Sequence, residues 1–113
     1  MTESELYSIL AADAGITFIT TRVYNGDLPE GTTYPAVNFE FVGDEAITNF
    51  AGDTGHRFAR YEISAWSKDY TEARALSLAI QNALIGYNRE TTDPAHEEEI
   101  GLYRFISEYR FFS

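Results

Sequence analysis

The chain has 113 residues, the size of one ordinary domain, with 18 Asp plus Glu against 8 Lys plus Arg and a formal net charge of -10. That charge argues against a generic phosphate-backbone binder, and 44% hydrophobic with 15% aromatic side chains is too much for a disordered acidic chain. The lack of Cys removes disulfide frameworks, Cys-ligated zinc and thiol catalysis, and no apolar run approaches the roughly 20 residues of a membrane span.

Met1 to Glu5 is acidic and lacks the basic start of a signal peptide. The expectation is a soluble cytoplasmic protein, one domain over 1–113, with no membrane partner. Glu3 to Ala14 reads as a helix, opened by a Thr2/Glu5 capping box and carrying Leu6, Ile9 and Leu10 on one face. Gly15 then suits a left-handed residue past the helix end. Ile16 to Tyr24 is rich in Ile, Thr, Phe and Val and reads as extended, with Arg22-Val23-Tyr24 the paired piece. Asn25-Gly26-Asp27 signals a turn, and Leu28 to Pro35 an irregular loop.

Ala36 to Val42 alternates, with Val37, Phe39 and Phe41 on one side and Asn38 and Glu40 on the other, as a half-buried strand does. Gly43 to Gly55 is expected to be a long connection, unusual in holding Ile47 and Phe50. Arg57 to Trp66 is the next strand, and Thr71 to Tyr87 an amphipathic helix with Asp69 or Thr71 as its N-cap. Asn88 to Glu99 reads as a polar acidic loop, and Leu102 to Phe112 as the last strand. The expected fold is α+β, in the order α-β-β-β-α-β. Two helices pack on one face of a three- to four-stranded, mostly antiparallel sheet.

Two helices cover only one face. The other holds Arg60, Glu62, Arg104, Glu108 and Arg110, mixed with Phe58, Trp66, Ile106 and Phe112. If the third and last strands are neighbours, these charges can pair across them. Such a face is either plainly solvated or a partner surface, and its arginines and aromatics suit the second.

Chemistry is sparse. His56 and His96 lack a metal-ligand spacing, and His96 beside Glu97-Glu98-Glu99 is more often solvated charge than a site. Gly52 and Gly55 are not followed by Gly-Lys-Ser/Thr, and there is no nucleophile elbow. No cofactor, metal or catalytic residue is expected, and the chain does not read as an enzyme. Arg104 and Arg110 alternate with Tyr103, Phe105, Tyr109 and Phe111, which places them on opposite faces and favours a core role for the aromatics over base stacking.

The order and spacing of several ordinary pieces carry a resemblance. They are Leu10-Ala11-Ala12-Asp13-Ala14-Gly15, Arg22-Val23-Tyr24, Tyr34-Pro35-Ala36-Val37, the strand Arg60 to Trp66, then Asp69-Tyr70-Thr71-Glu72-Ala73-Arg74, and the strand Leu102 to Phe111. Together they resemble the tail-completion and tail-terminator proteins of long-tailed bacteriophages. The resemblance implies a fold of the lambda tail-terminator type and a hexameric ring, assembled in the host cytoplasm. That ring would cap the tail tube, stop its growth and join it to the head connector or head-closure protein.

Within that picture Asp44, Glu45, Ile47, Phe50 and Asp53 are candidates for docking onto the tube or connector. Phe58, Arg60, Glu62, Trp66, Arg104, Glu108 and Arg110 are candidates for contact between subunits. The acids Asp27, Glu30, Asp44, Glu45, Asp53, Glu90, Asp93, Glu97, Glu98 and Glu99 all fall in expected loops, where they would repel phosphate and let DNA pass through a ring without specific binding. The competing readings are another ring component of the neck or tail, a monomeric ligand-binding α+β domain, and a small enzyme using Asp and Glu.

Overall fold

A computed structural model of the protein describes residues 1–49, 52–97 and 101–112. In chain order these form α1 (Glu3–Ala12), α2 (Ala14–Ile19), β1 (Val23–Asn25), β2 (Ala36–Asn49), β3 (Gly52–Ser67), α3 (Tyr70–Ala83), β4 (Asn88–Glu97) and β5 (Leu102–Phe112). The strands make one five-stranded sheet in the order β1-β2-β3-β5-β4. All pairs are antiparallel except β1 with β2. The α+β class stands, with one helix and at least one strand more than the sequence suggested.

The first helix opens on its capping box: Glu5 N–H donates to Thr2 Oγ1 at 3.1 Å, and Thr2 N–H to Glu5 Oε1 at 3.3 Å. It ends earlier than expected, at Asp13, which stops α1 and caps α2 by accepting from Ile16 N–H at 3.0 Å. The segment from Ile16 is therefore helical rather than extended, because Ile16 is fully buried and tertiary packing overrides its β-branched preference. Gly15 is not a left-handed terminator but lies inside α2. A Cβ there would stand 3.1 Å from Asp13 Oδ2 and 3.8 Å from Ala79 Cβ, so its smallness lets α2 approach α3 and the cap.

The α3 cap differs from a plain capping box. Glu72 N–H donates to Asp69 Oδ2 at 3.1 Å, while Asp69 N–H reaches Ser67 Oγ at 3.1 Å, and that hydroxyl donates to Glu72 Oε1 at 2.8 Å. Ser67 is the last residue of β3, so the cap ties strand to helix.

Two expected loops are strands. Residues 43–49 and 52–55 extend β2 and β3 into a hairpin, paired as far as Asn49 with Gly52. Gly43 takes a φ of 147° beside a bulge, a conformation a side chain rarely adopts. Among the described residues pairing of β3 with β5 stops at Phe58 with Phe112, so the hairpin projects beyond these pairs as a two-stranded arm. The molecule measures 51 × 29 × 23 Å. Residues 88–97 form β4, paired with β5 from Asn88–Arg110 to Glu97–Leu102. An edge strand needs no apolar run and tolerates Pro94, which is why composition read as loop.

The core lies on one face. Val37, Phe39, Tyr61, Ile63, Ala65, Phe105, Tyr109 and Phe111 of the sheet pack under Leu6, Leu10, Ile16, Ala73, Leu76, Ile80 and Leu84. Burying each large side chain contributes about 1.5–3 kcal/mol.

Candidate functional site: the open sheet face and the hairpin arm

The period of two puts Phe58, Arg60, Glu62 and Trp66 of β3 beside Arg104, Glu108 and Arg110 of β5, on the face without helices. The register sets Arg60 opposite Arg110 and Glu62 opposite Glu108, like against like. The side chains resolve this diagonally: Arg60 reaches Glu108 at 2.8 Å, and Arg104 reaches Glu62 at 3.5 Å. Arg110 lies 3.4 Å from Glu45 and 3.2 Å from Glu90; the latter contact joins Nε to a carboxylate oxygen off the line a hydrogen bond needs. The Glu108 hydrogen bond and charge raise the pKa of Arg60. Partly exposed pairs of this kind each contribute little to stability, yet they fix side-chain positions.

Aromatic rings hold two of the guanidinium groups. Arg104 stands 4.6 Å above the Trp66 ring and Arg110 stands 4.1 Å above Phe58. Arg104 Nε also donates to Ser64 Oγ at 3.0 Å. Trp66 Nε1 donates to Asn38 Oδ1 at 2.8 Å, and Asn38 Nδ2 to the Gly26 carbonyl at 2.9 Å. One connected polar layer thus runs from the turn after β1, through β2 and β3, to β5.

The predicted docking residues divide. Asp44, Glu45 and Ile47 lie on β2 and Asp53 on β3, so the connection imagined there is a hairpin; Phe50 lies outside the described residues. Glu45 faces the open side with Phe58 and joins the subunit-contact set through Arg110, whereas Asp44 pairs with Ala59 on the other side. Apolar groups collar the base of the arm: Phe41 and Val42 are 45% and 43% exposed, and Phe112, 61% exposed, contacts Phe58 edge-on at 5.8 Å.

Sequence reasoning missed three participants. Asn38 was legible as outward-facing but not as the partner of Trp66, a pairing that needs the β2–β3 register. Ser64 was legible as a member of the same face but not as the acceptor of Arg104, and Glu90 was read as loop. The supposed loop acids are redistributed too: Asp44, Glu45, Asp53, Glu90, Asp93 and Glu97 lie on strands. Glu98 and Glu99 lie outside the described residues, and Asp27 and Glu30 remain in the β1–β2 connection.

Acid–base chemistry finds little to use. Among the described residues no group of three or more His, Asp or Glu converges as metal ligands. His96 stacks on Tyr103 at 4.4 Å. Burial raises the pKa of Tyr61 and Tyr109, away from neutrality. A small apolar recess of about 210 Å³ lies between Tyr70, Pro94, His96, Tyr103 and Phe105. No helix among the described residues is long and apolar enough to cross a membrane.

With that geometry in place, three comparisons bear on identity. The family model described as Tail completion protein gp17 matches residues 4–100. Among solved structures, a chain from "Virion of native gene transfer agent (GTA) particle" superposes with a TM-score of 0.73 at 17% identity, covering 93% of this chain and 88% of that one. The likeness is one of fold. No curated protein matches the chain in sequence.

Proposed function

The chain belongs to the tail completion protein gp17 family, and from that premise we propose that it is a structural tail protein whose copies form a ring. The ring caps the tail tube, ends its growth and joins the tail to the head connector or head-closure protein. The observation that carries this reading is the family match over residues 4–100, which takes in all of α1 but its first residue, α2, α3, the hairpin arm and the paired strand β4.

A closed ring, here six copies, uses heterologous contacts, in which one patch of each copy meets a different patch of the next. The ordered layer of Arg60, Glu62, Trp66, Arg104, Glu108 and Arg110 is one such patch, because its positions are set before any partner arrives. The arm, with Glu45, Ile47, Phe50 and Asp53, is the docking element toward tube or connector. Acids on the arm and on β4 suit a conduit through which DNA slides without being held.

The test is tube length and joining in reconstituted tails. Added protein should bind tube ends, fix tube length, and form a ring visible by electron microscopy. Phe50→Asp should abolish joining with the fold intact. Tubes of unregulated length with no protein at their ends would overturn the reading.

A further inference from the structure

The two outer edges of the sheet are guarded differently. β4 closes one side and carries Pro94, which has no N–H to offer a further strand. On the other side β1 ends at the Asn25–Phe39 pair. Among the described residues no strand pairs with the edge of β2 from Glu40 onward. That stretch of β2 contains neither Pro nor Lys; what guards it is a bulge between Phe41 and Gly43 and the acids Glu40, Asp44 and Glu45, which turn away acidic strands but not a basic one.

We propose that the free edge of β2 from Glu40 to Glu45 accepts an extended segment of a neighbouring virion protein in which basic and apolar residues alternate. The inference rests on the hairpin being the docking element and extends it to the edge at the arm's base, where Glu40 to Glu45 lie opposite Glu62 to Phe58. An added strand continues the pleat, so its alternate side chains fall on opposite faces. On the open face they meet Glu40 and Glu45; on the helix side they meet the exposed ring of Phe41 and, past the bulge, Asp44. Cations suit the first face and an apolar group the second. The neighbouring carboxyl of Asp27 raises the pKa of Glu40, a juxtaposition that an incoming Lys or Arg would relieve.

A second copy suits this edge poorly. Its own free β2 edge repeats the same acids, and its β4 edge brings Glu90 and Asp93.

The test uses the full chain with three synthetic peptides. One alternates Lys and Val, one replaces each Lys by Glu, and one is the Lys–Val peptide N-methylated on the amides of one edge. The Lys–Val peptide should slow amide hydrogen exchange over 40–45, and the other two should not. The double variant Glu40→Gln with Glu45→Gln should weaken binding by about tenfold, most clearly at low salt. Protection on β4, or equal binding of the N-methylated peptide, overturns the proposal. So does protection of 40–45 that rises with protein concentration alone, which would give the edge to a second copy. If no peptide binds while Phe50→Asp still blocks joining, the edge proposal fails and the docking reading stands.

Discussion

On the helix-covered face Val37, Phe39, Ile63 and Tyr109 are at most 1% exposed, and volume alone holds them. One residue away along the same strands, Asn38, Glu62, Ser64 and Arg110 form a layer held by directed bonds. Alternation produces both from one backbone. The buried side supplies stability, which scales with apolar area. The open side adds little stability, but presents charges and rings in fixed places, which is what recognition needs.

The contrast is broken most directly by cutting the core. Phe39→Ala removes a fully buried ring that lies 6.5 Å from Tyr61 and should cost about 3–5 kcal/mol in urea unfolding. A loss under about 1 kcal/mol would mean that volume does not hold this face. Asn38→Ala comes next. It leaves the Trp66 indole and the Gly26 carbonyl without their partner and should cost about 1–3 kcal/mol. Here the open face would behave like a core, because Asn38 is 5% exposed. Arg60→Gln should move the melting temperature less than either, and the shift should shrink as salt rises, since its pair with Glu108 is partly exposed. A large, salt-independent loss would show that the layer is structural after all.

The legible parts of this molecule were those with an internal period. The strand from Ala36, the strand from Arg57 and the helix after Asp69 each announce a buried face by spacing alone, and so does the division of Arg104 and Arg110 from Tyr109 and Phe111. The misread parts lack such a period. Residues 16–19 have strand-like composition but become helical because Asp13 caps them and Ile16 finds a core. β4 has no apolar face to pattern, and its strand state comes from pairing with β5. The arm is similar: Asp44, Glu45 and Ile47 are strand residues because β3 lies opposite. The site followed suit. Its charged members were visible one by one, but Glu45 meeting Arg110 depends on a long-range register that no local pattern encodes.

The smallest expected effect concerns the junction of the two regions, where the turn after β1 meets the open face. Hydrogen bonding of a protonated Glu40 to the Asp27 carboxylate raises the pKa of Glu40 above its ordinary 4.5, with burial and the charges of Asp27 and Glu62 adding and Arg104 opposing. The folded chain therefore binds that proton more tightly than the unfolded chain does. Stability from this group grows as pH falls through the raised value toward 4.5, and is lost as pH rises back through it. Pairs such as Arg104 with Glu62 act in the opposite sense, since protonating the acid removes the attraction. The difference between wild type and Glu40→Gln isolates the carboxyl pair. The variant should be as stable or slightly more stable at neutral pH, and the advantage should fade in mild acid, as followed by thermal unfolding across that range. Parallel curves would remove Glu40 and Asp27 as a coupled pair. They would also leave Glu40 on the β2 edge as an independent carboxylate open to a cation.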